Sequence, residues 1–346
     1  MMPLATLGAR ILRSNLGRGP RPFKLTLIVT YTCDTRCRMC NIWQRPKAGT
    51  MTVDEVARFF EKSPWWSWIN LSGGEIWTRP DAGELIDAVV AGAPDLYLLD
   101  FPTTGQQTER IVGGVERILA TRLPRLLVTV SLDGPDGVHD EIRGRDGAFE
   151  NAVATFARLR ALRSRRFGVF LGTTLSNWNG GALFATYEAV RKRVPDVALD
   201  EFHVNVAQVS AHYYGNEGME KTQLDCLSEI DEFLRRKGHR FHPVAWLERR
   251  YQRLSRRFLE TGRTPLPCKA LASSVFVDAR WNVYPCSMYD APLGNLRERD
   301  FDLAGLWDEE RTRTLQAEIA SGRCPHCWTP CEAYQTILGN LVRSRA

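Results

Sequence analysis

Three cysteines stand close together in the run Cys33-Asp34-Thr35-Arg36-Cys37-Arg38-Met39-Cys40. Thiolates spaced C-x3-C-x2-C on one loop can hold three irons of a cubane [4Fe–4S] cluster. The next cysteine along the chain is Cys226, so the fourth iron has no local thiolate and is free to chelate a ligand. Close cysteine pairs also bind zinc, so a zinc site completed from elsewhere, or a set of reduced core thiols, is the competing reading. A second group follows late in the chain: Cys268, Cys286, Cys324, Cys327 and Cys331. Five thiols suffice for one four-thiolate cluster with one to spare, and a zinc ribbon is again the alternative. Cys268, Cys286, Cys324 and Cys327 are the preferred ligands; Cys331 could replace one, and spacing does not decide. Cys226, alone in a helical segment, reads as a core thiol.

Other chemistry-bearing residues fall at intervals between the two groups. Ser72-Gly73-Gly74-Glu75 combines glycines, which let a ligand approach the backbone, with a carboxylate that can accept from an ammonium group. Thr103-Thr104-Gly105 offers hydroxyls and a turn. Ser131-Leu132-Asp133-Gly134-Pro135 precedes His139-Asp140-Glu141-Ile142-Arg143-Gly144, where Ser131 can bind a ribose hydroxyl and Arg143 can pair with a carboxylate. His139 and Asp140 could form an acid–base pair but read better as residues that organise the loop.

These residues need a scaffold that brings them to one end. Apolar runs predict strands over 24–30, 67–72, 96–101, 125–131, 167–174 and 199–206. Helix-period segments lie between them, at 53–62, 83–91, 109–122, 148–163 and 182–193. Six strands with crossover helices predict an α/β fold, a partial (β/α)6 TIM-like barrel, with a doubly wound open sheet as the alternative. In both, ligands sit at the C-terminal strand ends, where Cys33–Cys40, Gly73–Glu75, Thr104 and Ser131 all fall. Further helices are expected at 222–237, 244–261 and 303–320, with short strands at 274–277 and 282–284 forming a small C-terminal α+β region. The expected division is 1–23, an N-terminal amphipathic extension; 24–262, the barrel; and 263–346, the cluster-binding region. Within the extension, Leu4, Leu7, Ile11 and Leu12 share a helical face that would pack on the barrel or rest on a membrane or lipid surface.

The chain has 346 residues, with 46 basic and 40 acidic side chains and a net charge of +6. That mild excess suits an anionic ligand and does not argue for nucleic acid. No signal peptide or long apolar stretch is evident, so a cytoplasmic location is expected, where clustered cysteines serve as metal ligands rather than disulfides.

The ordered motifs resemble those of the radical S-adenosylmethionine (radical SAM) superfamily. The resemblance covers nearly the whole chain from residue 24 onward. It implies that Cys33, Cys37 and Cys40 hold a [4Fe–4S] cluster whose open iron takes SAM. It implies SAM contacts at Gly73, Gly74, Glu75, Thr104, Ser131 and Arg143; Ile76 replaces the proline that usually follows the glutamate, and Thr104 replaces an asparagine. Met39 stands in place of an aromatic residue, and its thioether can still cover an adenine face. The C-terminal cysteines, flanking a hairpin and ending in C-x2-C, resemble the auxiliary [4Fe–4S] domains called SPASM and twitch. Trp281 stands where that pattern usually has glycine.

By this resemblance one electron from a flavodoxin- or ferredoxin-type donor cleaves SAM to methionine and a 5′-deoxyadenosyl radical. The radical then abstracts hydrogen from an unactivated C–H bond. No general base is required and none is assigned. Peptide-modifying relatives often carry an N-terminal recognition domain of about one small domain's size, and the two dozen or so residues before the barrel count against a leader-peptide substrate. The expected substrate is therefore a small molecule, sugar or lipid, with a peptide-modifying maturase as the alternative. Asn205, Gln208, His212, Tyr213 and Tyr214 are expected near the pocket. A zinc-binding protein without activity, or an iron–sulfur electron carrier, is the reading from a different class.

Overall fold

The structure is a computed structural model and describes residues 3–17, 21–219, 226–237 and 243–341. Nine strands form one sheet: β1 (Lys24–Thr30), β2 (Trp68–Gly73), β3 (Leu98–Thr103), β4 (Arg125–Ser131), β5 (Phe167–Leu175), β6 (Phe202–Val206), β7 (Ser274–Val277), β8 (Asn282–Tyr284) and β9 (Gly294–Asn295). Their order is β6-β5-β4-β3-β2-β1-β7-β8-β9. The first six are parallel and joined by helices, which makes the partial barrel. Strand β4 shows why the sheet curls around an interior. Leu126, Val128 and Val130 are buried in the main core, whereas Leu127, Thr129 and Ser131, on the alternate face, line an internal cavity.

The sheet does not stop at the barrel. β7 pairs in parallel with β1, Lys24 opposite Ser274 and Leu27 opposite Val277, and β8 and β9 continue antiparallel from it. β1 is therefore hydrogen-bonded on both sides, and all seven of its residues are buried. The late hairpin extends the strand that carries the cysteine triplet.

Several helices differ from expectation. The 303–320 segment breaks into Leu303–Trp307 and Glu310–Ala320, because Glu309 is extended between them. Pro330–Leu338 is helical although the sequence reads there as a cysteine-rich tail; Pro330 occupies the first turn, where a missing N–H costs nothing. Residues 222–225 of the expected helix at 222–237 lie outside the described residues; the rest forms Cys226–Arg236, with Cys226 buried in the core.

The N-terminal helix, Pro3–Leu16, docks by a mixed face that takes Leu7 and Ile11 from the apolar one. Leu7, Thr6, Ser14 and Asn15 are buried, while Leu4, Leu12 and Leu16 are exposed. Polar contacts decide this: Arg10 pairs with Asp95 at 2.9 Å, Ser14 meets Ser273 at 2.7 Å, and Asn15 donates to Leu338 O at 2.7 Å. Among the described residues no helix is long and apolar enough to cross a membrane.

Candidate active site

The triplet loop leaves the C-terminal end of β1 and is tied down along its length. Arg36 N–H donates to Arg143 O at 2.8 Å, Arg38 N–H to Ile142 O at 2.9 Å, and Asn41 N–H to Tyr214 O at 2.7 Å. Asn216 Nδ2 donates to Met39 O at 2.8 Å. Gly144 closes helix Asp136–Arg143 in the left-handed region, and a Cβ there would stand 2.8 Å from Arg36 O.

Within the loop the Thr35 hydroxyl lies 3.3 Å from Cys33 Sγ and 3.4 Å from Cys37 Sγ, and Arg143 donates to Cys37 Sγ at 3.6 Å. Burial pushes the Cys33 thiol up to about 11 and the Cys40 thiol up to about 12. Three thiols on one loop, with a hydroxyl and a guanidinium aimed at two of the sulfurs, fit an iron–sulfur cluster: iron binds the thiolates and the donors stabilise their charge. Among the described residues no three Cys, His, Asp or Glu side chains converge as on a single metal ion. A cubane, which spreads its thiolates over several irons, does not require that convergence.

A cavity of about 900 Å³ opens beneath the triplet and runs down the barrel interior. Cys33, Cys37 and Cys40 line it, as do Gly73, Gly74, Thr104, Ser131 and Arg143. Thus the triplet and the expected SAM contacts meet around one space, with Glu75 as the exception among them. Glu75 is buried behind the wall, where its carboxylate accepts from Thr103 Oγ1 at 3.0 Å, Trp77 N–H at 3.2 Å and Thr104 N–H. Burial, followed by the nearby Asp34, pushes its carboxyl up to about 7. In this geometry Glu75 braces the β2 and β3 ends, and the glycines present the backbone. Gly73 has φ +139°, and a Cβ at Gly73 or Gly74 would strike the carbonyl of Thr30 or Thr32.

Arg143 is pinned by Asp133 at 2.6 Å. Burial opposes its charge, but Asp133 and the thiols outweigh burial and hold the guanidinium protonated. His139 accepts from Asp133 N–H at 2.9 Å through Nδ1, and burial pushes it down to about 2, so it stays neutral. Asp140 accepts from Gly147 N–H at 2.7 Å and Phe149 N–H at 2.8 Å. Both therefore serve the loop. Asn205, Gln208, Tyr213 and Tyr214 line the cavity. His212 does not; it stacks on Tyr284 at 4.4 Å and bonds Cys286 O at 3.0 Å.

A model of the radical SAM superfamily matches residues 27–183, and a model of an iron–sulfur cluster-binding domain, SPASM, matches residues 268–328. The chain belongs to the radical SAM superfamily and carries a C-terminal SPASM domain. It is similar to an AdoMet-dependent heme synthase of Methanosarcina barkeri, 27% identical over 319 residues that cover 86% of each chain. It is also similar to the sporulation killing factor maturation protein SkfB of Bacillus subtilis, 22% identical over 310 residues covering 88% of this chain and 69% of that one. Among solved structures, Streptococcus suis SuiB bound to S-adenosylmethionine shares the fold, with TM-score 0.61 and 14% identity over 98% of this chain and 77% of that one. As a radical SAM enzyme the chain works with a [4Fe–4S] cluster, SAM and auxiliary iron–sulfur ligation.

The SPASM thiols are built differently from the triplet. Cys268 precedes β7, Cys286 follows β8, and Cys324 and Cys327 arrive on the loop before helix Pro330–Leu338. All four join the main apolar core, and none lines the cavity. Burial pushes Cys268 up to about 12 and Cys286 and Cys327 well above the usual thiol range; charge on Glu332 and on neighbouring thiols adds to this. Ala270 N–H points at Cys268 Sγ from 3.4 Å. Four thiols gathered at the main core, with a backbone donor aimed at one of them, fit one cluster.

Trp281 has φ +69°, the region where the pattern's glycine would rest without strain. Its ring is wholly buried between Phe59 at 5.3 Å and Phe301 at 5.1 Å, and its Nε1 donates to Glu55 at 3.2 Å. That packing offsets a conformational cost of about 1–2 kcal/mol. Sequence reasoning missed the polar residues deeper in the barrel: Lys24, Asn70 and Asp100 sit inside apolar strand runs and are visible only as breaks in them.

Proposed function

We propose that the chain is a radical SAM enzyme acting on a small molecule held inside the barrel, carrying out dehydrogenation or related C–H functionalisation. The observation that carries this reading is the cavity. At about 900 Å³ it lies near the top of the roughly 300–1,000 Å³ range of small-molecule sites, which suits SAM beneath the triplet and a second molecule below it. Cluster and SAM together supply reductive sulfonium cleavage and hydrogen-atom abstraction.

In this reading Cys33, Cys37 and Cys40 hold the cluster. Gly73, Gly74, Thr104, Ser131 and Arg143 bind SAM, with Glu75 fixing the β2 and β3 ends. Cys268, Cys286, Cys324 and Cys327 hold the auxiliary cluster. The chain's own contribution is to orient the substrate and exclude water, which enclosure by the barrel favours. Similarity to the heme synthase across 86% of both chains supports a small-molecule substrate. Similarity to SkfB supports a peptide-modifying reading as the second possibility. A flavodoxin or ferredoxin is the proposed electron donor and the cytoplasm the proposed location.

Anaerobic protein with reconstituted clusters, given dithionite and SAM, should form 5′-deoxyadenosine and methionine. Absence of both, with a known radical SAM enzyme active alongside, would overturn the activity. Deuterium appearing in 5′-deoxyadenosine from a deuterated metabolite extract, and not from a deuterated peptide digest, supports the small-molecule substrate; the reverse supports the peptide reading.

A further inference from the structure

Of the five C-terminal cysteines, Cys331 stands apart. The SPASM match ends at residue 328, before it. Cys331 lines the barrel cavity along with the triplet thiols, which none of the other four does. Glu332 acts on Cys331 as it does on Cys268, Cys286 and Cys327, but Cys331 also feels Lys24 and Asp100 of the cavity wall and none of the other four thiols, whereas Cys268, Cys286 and Cys327 feel one another or Cys324. Charge on Cys331 is felt by Tyr213 and Tyr214, and the Tyr213 hydroxyl lies 3.0 Å from Ser72 Oγ at the upper end of the same cavity.

A second, independent feature marks this wall as a ligand site. Asn70 is only 8% exposed and lines the cavity, yet its Oδ1 has no hydrogen-bond partner among the described residues. Nδ2 donates to Asp100 Oδ1 at 2.6 Å, and against an ionised Asp100 the reversed carboxamide would set two oxygens together. Lys24 is committed, donating to Gln335 Oε1 at 2.9 Å and to Cys331 O, with its Nζ 4.4 Å above the Trp68 ring. Asp100 receives the Trp68 indole N–H as well as Asn70. What the wall still offers is acceptor capacity: Asn70 Oδ1 and the remaining Asp100 lone pairs. A buried acceptor without a partner is costly, and a ligand donor removes that cost.

We propose that Cys331 is a substrate-site residue and not an auxiliary-cluster ligand. With Asn70 and Asp100 it forms the inner end of the substrate site, which receives a hydrogen-bond-donating group, an amine, amide or hydroxyl. This assignment rests on the small-molecule reading above.

The test starts from a Cys33→Ala/Cys37→Ala/Cys40→Ala protein, in which iron reports the auxiliary site alone. That protein should bind about four iron atoms. Adding Cys331→Ala or Cys331→Ser should leave that number, while adding Cys327→Ala should remove it. Loss of iron in both Cys331 variants with correct circular dichroism overturns the assignment. Wild-type protein with clusters reconstituted is then alkylated anaerobically and mapped by mass spectrometry. Iodoacetamide should modify Cys331 and spare the other four C-terminal cysteines; protection of Cys331 alongside them overturns the proposal. Normalised to glutathione, iodoacetamide, which carries an N–H donor, should label Cys331 at least tenfold faster than iodoacetate. Asn70→Leu should erase that preference. A preference for iodoacetate overturns the donor-group assignment. SAM cleavage by the parent is measured in parallel, so failure of the radical SAM reading is seen separately.

Discussion

The molecule has two cysteine sites, and they solve opposite problems. The triplet draws three thiols from eight consecutive residues on one loop, and all three border the cavity. The SPASM thiols come from three separated segments and sink into the core away from that cavity. A local loop with one ligand short leaves room for a substrate of the metal; a four-thiol site gathered from distant segments leaves none. Openness and closure here follow from how the ligands are distributed along the chain.

The comparison breaks first at the thiols themselves. Replacing Cys33, Cys37 and Cys40 by Ala should reduce 5′-deoxyadenosine formation to the no-enzyme background. Replacing Cys268 and Cys286 should leave cleavage uncoupled from product within about tenfold, or about 1.4 kcal/mol of barrier. Equal loss in both would show that the closed site is needed for folding.

The open site can also be damaged through its wall. Gly74→Ala sets a Cβ against Thr32 O and pushes on Cys33 Cβ, 3.0 Å away. SAM cleavage should fall about 100-fold, on the order of 3 kcal/mol, with iron content unchanged.

The closed site has a different weak point. Trp281 and Trp328 are both buried, but only Trp281 sits at positive φ. Truncating a buried Trp costs about 3–5 kcal/mol, and Trp281→Gly recovers about 1–2 of that by relieving the backbone. Trp281→Gly should therefore lower Tm less than Trp328→Ala does.

The smallest effect is in pH. Glu75 beside the open site and Glu332 beside the closed one are each raised to about 7, by burial foremost. Folding favours the protonated acid, so each contributes stability that is complete below about pH 4.3 and is lost as pH rises through about 7. Cluster-free protein should lose Tm between about pH 5 and 8, and Glu75→Gln or Glu332→Gln should each remove part of that slope.

Much of this was legible in the residues. β1, β4, β7 and β8 fall where apolar runs place them, and helix Val53–Lys62 matches its period. Those features are local, and local patterns are readable. The exceptions depended on distant partners. The N-terminal helix left Leu4, Leu12 and Leu16 exposed because Arg10, Ser14 and Asn15 found polar partners from residues far along the chain. Glu75 left the cavity wall because donors from β3 claimed its carboxylate, and Cys331 became distinguishable from Cys327 only through what surrounds each.

The pairing of β1 with β7 has a consequence for synthesis. The strand that launches the triplet leaves the ribosome well before its second hydrogen-bonding partner, Ser274–Val277, has been made. Until Ser274–Val277 emerges, the apolar run Leu25, Leu27, Ile28, Val29 keeps a bare edge, the kind that recruits other chains. Iron loading at the triplet is thus tied to synthesis of Ser274–Val277, and nascent chains stalled before residue 274 should acquire little iron and aggregate readily.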